Sequence, residues 1–162
     1  SRPYLLDRVT TFLDPSRDPQ GSSYQIQQSL IAIGSGGTLG RGFGQSVQKF
    51  SYLPEPIGDS IFAVAAEEFG FVGSTLLVVA FFSFVALGLR IAAKARDAFG
   101  GLLVTGLVIL LGGQSFINIA SLLGLFPLSG MPLIFISHGG TALLFALAEV
   151  GIILSVSRSA QH

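Results

Sequence analysis

From Phe71 to Leu89 the chain reads FVGSTLLVVAFFSFVALGL, an uncharged run close to the ~20 residues needed to cross a ~30 Å hydrocarbon core. Past its end stand Arg90, Lys94 and Arg96. No charged residue follows between Ala98 and Ala148, a stretch too long for one crossing. Gly124, Pro127, Gly130 and Pro132 mark where it breaks, because proline ends a helix and glycine permits a turn. The pattern predicts three membrane helices, at about 71–93, 101–123 and 136–156, with a tail at 159–162. The joint LGLFPLSGMPLIFISHGG could dip into the bilayer only if other protein or water satisfied its backbone groups.

The first part of the chain has a different texture. Residues 1–70 carry turn signals at Asp14-Pro15, Asp18-Pro19 and Pro54-Glu55-Pro56, and predict a polar region of short helices and loops. Within it YQIQQSLIAIG sets Ile26, Leu30 and Ile33 at i, i+4, i+7, opposite Gln25, Gln28 and Ser29. That is an amphipathic helix, lying either on the membrane interface or on neighbouring protein; its start also alternates with period two, which leaves a short strand open. A further helix is predicted over 60–69. By the positive-inside rule the Arg90–Arg96 end is cytoplasmic, which puts residues 1–70 on the outer face.

Composition narrows the class. Half of the 162 residues are apolar and 11% are charged, the proportions of a membrane protein. Net charge is zero, so no basic excess points to nucleic acid. There is no cysteine, hence no disulfide or thiolate metal site, and His138 and His162 have no metal-ligand spacing. Ser1 heads no signal-peptide pattern, and three spans are few to enclose a pathway. Both features predict a piece of a longer chain with further helices upstream.

Several residues stand out. GSGGTLGRGFG, residues 34–44, has the glycine content of an anion-binding loop but lacks the lysine and hydroxyl of a nucleotide loop. It reads as a flexible outer loop or, with Arg41 and Lys49, as a contact for a phosphorylated ligand. Asp59 precedes the 60–69 helix, where it could simply cap free N–H groups. Glu67 and Glu68 close that helix, where negative charge is unfavourable, so a basic partner or a ligand should compensate. Glu149 lies within the last span and must be protonated, paired or facing a cavity. Gln114 and Asn118, one turn apart in the middle span, are its candidate partners or general polar glue. His138, beside Gly139-Gly140, is a packing residue or a titratable group near the outer surface.

YQIQQSLIAIGSGGTLGRGFGQSVQKFSYLPEPIGDSIFAVAAEEFGFVG, then QSFINIASLLGLFPLSGMPLIFISHGGTALL and a closing SR, resemble the C-terminal part of the SEDS family (shape, elongation, division and sporulation). SVQKFSYLPEP is most similar to its FtsW and SpoVE branch. The resemblance implies an all-α, ten-helix integral membrane glycosyltransferase of the bacterial inner membrane. Such an enzyme polymerises lipid II into peptidoglycan at the division septum, with a class B penicillin-binding protein and other divisome proteins as partners. It puts the family's essential loop aspartate on Asp59, as the base that activates the acceptor hydroxyl. Undecaprenyl pyrophosphate leaves, and its countercharge would come from Arg41, Lys49 or a divalent cation, Mg or Mn. Gln25, Gln28, Glu67, Glu68 and His138 are the further candidates for contacting substrate. Two departures stand out, IGD where the family has HTD and ISHGGTA where it has ISYGGSS. Two other classes remain open: a lipid II flippase using Glu149 and the broken joint, and a scaffold that recruits a synthase.

Overall fold

The computed structural model describes residues 22–48, 53 and 56–159. Lys49, the turn signals before residue 22, Pro54-Glu55 of the third turn signal and residues 160–162 of the predicted tail lie outside them. Among the described residues the chain is all-helical: α1 (Ser22–Ser35), α2 (Ile61–Ala93), α3 (Ala98–Leu122) and α4 (Gly140–Ser159), with no strand. Three of these, α2 to α4, are long and apolar enough to cross a membrane.

α3 is the central helix. Val104, Val108, Leu111, Ser115, Asn118, Ile119 and Leu122 recur on one face at the helical repeat, and all are buried. α2 lies against it along small residues: a Cβ on Gly88 would sit 2.4 Å from Val108 Cγ2, and one on Gly112 would sit 2.4 Å from Val85 Cγ2. Such positions let backbones approach where lipid supplies no hydrophobic drive for helix association. Asp97 caps α3 by accepting the Gly100 N–H at 2.7 Å, worth about 1 kcal/mol. The far end of α3 closes in a Schellman turn: Leu125 N donates to Ala120 O at 2.9 Å and Gly124 N to Ser121 O at 3.1 Å, with Gly124 at φ 69°.

α2 is two helical arms joined at Gly70, whose φ of 67° and ψ of −164° belong to a region open essentially to glycine. The glycine-rich segment, far from flexible at this point, wraps the break. Arg41 N and Gly42 N donate to the carbonyls of Glu67 and Glu68, both at 3.0 Å. In return Phe71 N and Val72 N donate to Gly37 O and Thr38 O at 2.9 and 3.1 Å. A break in a helix orphans carbonyls before it and N–H groups after it, and here one loop satisfies both sets. The approach requires glycine: a Cβ on Gly40 would fall 2.1 Å from Glu68 O, and one on Gly70 would fall 2.2 Å from Gly40 N.

α1 is helical, so its period-two start makes no strand. It packs on protein, with Ile26 and Ile33 against the cluster formed by Phe62, Phe81, Ile119, Leu122, Leu128 and Leu133. The buried stripe is rotated from the one expected: Ser29 and Ala32 are fully buried beside Ile26 and Ile33, while Leu30 is exposed. Ser29 can be buried because its hydroxyl donates to Gln25 O at 2.8 Å.

Candidate functional site

Asp59 sits in the turn that leads into α2, half-buried. Gln25 on α1 reaches it: Nε2 donates to Asp59 Oδ1 at 3.2 Å and to Ser60 Oγ at 3.0 Å, which engages both amide hydrogens. Ser60 Oγ adds a longer contact to the same carboxylate oxygen, 3.4 Å. Among the described residues Oδ2 has no hydrogen-bond partner. Ser60 occupies the cap position of α2 without a capping side-chain bond, and the bonds reaching Asp59 Oδ1 come from side chains. The carboxylate is therefore aimed sideways at α1 instead of along the helix it precedes.

The main chain of the turn is fixed as closely as the side chain. Three successive carbonyls accept from the far end of the chain. His138 N donates to Ile57 O at 2.8 Å, Ser137 Oγ to Gly58 O at 2.6 Å, and Asn118 Nδ2 to Asp59 O at 2.8 Å. The second hydrogen of Asn118 Nδ2 goes to Met131 O at 2.6 Å.

Those donors belong to one plan. Gln114, Asn118 and Ser121 share a face of α3, spaced i, i+4, i+7. They bind the carbonyls of Pro132, Met131 and Pro127 at 3.4, 2.6 and 3.0 Å. Residues 123–139 are the non-helical joint between two spanning helices, and this ladder satisfies three of its carbonyls. Leu128, Leu133 and Ile134 of the same joint are buried in the core. Asp59, Asn118, Ser121, Leu128, Ser129 and Gly130 line a narrow crevice where turn and joint meet.

The other sequence-marked residues distribute unevenly. Gln25 joins Asp59; Gln28 is half-buried one turn further along α1. Arg41 does find the basic partner role expected for the glutamate pair, with Nε 3.8 Å from Glu67 Oε1 and its side chain 43% exposed. Glu67 itself is fully buried. It accepts from Ser46 Oγ at 2.5 Å, Val47 N at 3.1 Å and Gln48 N at 3.4 Å, so it is engaged with the protein, about two turns from Asp59. Glu68 is 5% exposed and its Oε1 has no partner among the described residues. His138 is exposed and contributes its backbone N–H. Glu149 Oε2 is shielded and unpartnered among the described residues, since Gln114 and Asn118 are bonded to the joint instead. No three His, Cys, Asp or Glu side chains converge among the described residues, so these do not form a self-contained cation site.

Sequence reasoning passed over Ser60, Ser121 and Ser137. Small hydroxyls carry little pattern signal, although Gln114, Asn118 and Ser121 on one face of an uncharged span were a visible polar stripe.

Comparison with known proteins accords with this architecture. The profile of the family described as "Cell cycle protein", covering FtsW, RodA and SpoVE, matches residues 1–162. The chain is 46% identical over 162 residues to Stage V sporulation protein E of Bacillus subtilis, covering 100% of this chain and 44% of that protein. It is 48% identical over 161 residues to the probable peptidoglycan glycosyltransferase FtsW of Synechocystis sp., covering 99% of this chain and 41% of that one. A solved structure described as "Structural coordination of polymerization and crosslinking by a peptidoglycan synthase complex" superposes with a TM-score of 0.76 at 29% identity, over 98% of this chain and 43% of that chain. The chain thus spans less than half the length of these relatives. On its full-length match to the profile, the chain belongs to the FtsW, RodA and SpoVE family of cell cycle proteins.

Proposed function

We propose that the full-length protein is a peptidoglycan glycosyltransferase that joins lipid II molecules at the outer face of the bacterial inner membrane, with Asp59 as general base. The observation that carries this reading is the state of one carboxylate. Asp59 is half-buried, its Oδ1 is fixed by Gln25, and its Oδ2 faces no partner among the described residues. A base must be oriented yet keep a lone pair open for the incoming proton. The relatives named as probable peptidoglycan glycosyltransferases support the reaction class.

In the proposed step the acceptor sugar's 4-hydroxyl attacks the donor's anomeric carbon. Its proton passes to Asp59 Oδ2 as the new C–O bond forms. The anomeric bond to undecaprenyl pyrophosphate breaks on the opposite face, and its electron pair leaves on the pyrophosphate. Base assistance of this kind contributes roughly 10²- to 10⁴-fold. Arg41 and Lys49 are the loop's candidates for countercharge on the leaving group. Gln28 is the remaining candidate for holding sugar, because the Gln25 amide is already engaged. The structural neighbour's description as a peptidoglycan synthase complex that coordinates polymerization and crosslinking supports a crosslinking partner; a class B penicillin-binding protein in that role, at the division septum, is part of the proposal.

A second reading, lipid II transport, is favoured by the shielded, unpartnered Glu149 oxygen in α4. Purified full-length protein with lipid II separates the two. Asp59→Asn is expected to keep lipid binding and lose glycan polymer. Long glycan made by Asp59→Asn would overturn the base assignment, and wild-type protein that moved labelled lipid across vesicles without forming polymer would replace the reading with transport.

A further inference from the structure

The turn that carries Asp59 has no regular structure of its own between Pro56 and Ser60, yet each carbonyl from Ile57 to Asp59 is captured by a donor far along the chain. Ser137 is the pivot of that capture. Its hydroxyl donates to Gly58 O at 2.6 Å and accepts from Leu133 N at 2.8 Å, so one side chain closes the joint on itself and ties it to the turn.

The joint is held in a conformation it would not adopt alone. Phe135, two residues before Ser137, has φ 69°, a left-handed value costing a bulky residue about 1–3 kcal/mol. Flanking bonds hold it there: Ile136 N and Ser137 N both donate to Leu133 O, at 3.2 and 2.9 Å. Its ring packs edge-on against Phe84 of α2 at 5.8 Å. A strained segment persists only where its surroundings over-determine it, and here what it presents is the row of donors facing the Asp59 turn.

We infer that Ser137, supported by Asn118, is a positioning residue for Asp59: the two lock the turn bearing the base onto the joint between α3 and α4. The inference rests on the proposed role of Asp59 as base. A carboxylate must be held within a fraction of an ångström of its productive place, and a shift of about 1 Å can reduce rate by roughly 100-fold. Without the Ser137 hydroxyl, Gly58 O and Leu133 N both lose their partner, and the turn keeps one side-chain anchor and one backbone anchor in place of three.

The test is lipid II polymerisation by the purified full-length protein, comparing wild type, Ser137→Ala, Ser137→Thr and Asp59→Asn. Ser137→Ala should lower the kcat of the folded protein by roughly 10- to 100-fold, with the half-saturating lipid II concentration unchanged and the thermal midpoint lowered by the two lost hydrogen bonds. Ser137→Thr, which keeps the hydroxyl, should restore most of the rate. Wild-type kcat in Ser137→Ala, or a loss that merely follows the amount of folded protein, overturns the inference. If Asp59→Asn is inactive while Ser137→Ala is normal, only the positioning role fails. If Asp59→Asn polymerises, the base assignment fails first.

Discussion

Replacing Gly70 by alanine tests whether the loop that wraps the α2 break is what holds it. Two costs arise at once. The backbone at φ 67°, ψ −164° disfavours any side chain by about 1–3 kcal/mol. The new Cβ would also lie 2.2 Å from Gly40 N, 2.7 Å from Leu39 C and 2.8 Å from Thr38 C, where ordinary contact begins at 3.4 Å. All these atoms are backbone, so no side chain can swing aside and the loop must retreat by about 1 Å. That strains the four reciprocal bonds across the break, and losing two of them adds about 0.5–1.5 kcal/mol each. Gly70→Ala should therefore destabilise by about 2–6 kcal/mol, read as a shift in detergent-micelle unfolding of the full-length protein. Gly37→Ala is the matched control, because it has φ 56° but open space around its Cβ. It should cost only about 1–2 kcal/mol for the left-handed backbone. Gly34→Ala, in helix α1 with nothing near its Cβ, should stabilise slightly. If Gly70→Ala unfolds no more readily than Gly37→Ala, the wrapped loop does not hold the break.

Two further substitutions separate structural from chemical roles. Glu67→Ala leaves Ser46 Oγ and the backbone N–H groups of Val47 and Gln48 without their buried acceptor, and should cost about 2–4 kcal/mol in the same unfolding assay. The 43%-exposed Arg41 contributes little of that, and unchanged stability in Glu67→Ala would refute the role of Glu67 as the loop's anchor. Gln25→Leu removes the donor to Asp59 Oδ1 and should lower kcat about tenfold with lipid II half-saturation unchanged. A rise in half-saturation with normal kcat would show instead that Gln25 holds sugar.

The membrane class was legible because charge is confined to a few positions, and uninterrupted apolar runs of that length admit only helices in lipid. The notch at Gly124 was legible for a local reason, since a glycine after an apolar run marks a left-handed helix end. The amphipathic reading of α1 placed Ile26 and Ile33 correctly against the core but missed that the buried stripe turns toward Ser29 and Ala32 and away from Leu30, because Ser29 satisfies its own hydroxyl within the helix and so carries no burial penalty. The glycine-rich loop was the harder case. Its bonds to α2 run between backbone groups, which have no side-chain signature, and only the coincidence of Gly36, Gly40 and Gly70 hinted at close approach. Asp59 was marked by resemblance and by its place ahead of a helix. The donors that fix its turn come from residues 118, 137 and 138, too remote in sequence for any spacing rule to join.

The polar stripe of α3 shows why that remoteness has a physical logic. Read as glue between helices, a side chain such as Asn118 would contribute only about 0.6 kcal/mol on average, because the separated helices also find partners in the membrane. An unsatisfied backbone carbonyl at hydrocarbon depth costs several kcal/mol. The second term is the larger, so the stripe matters more as the acceptor-satisfying lining of an irregular segment than as a helix–helix contact, and Gln114, Asn118 and Ser121 are indeed bonded to the joint. Once the joint is fixed in this way it supplies rigid donors, Ser137 Oγ and His138 N, to a turn that has no regular structure of its own. Asn118 closes the circuit by holding the joint and Asp59 with a single nitrogen. Non-helical backbone inside an otherwise apolar bundle is thereby stabilised and becomes the support on which the carboxylate rests.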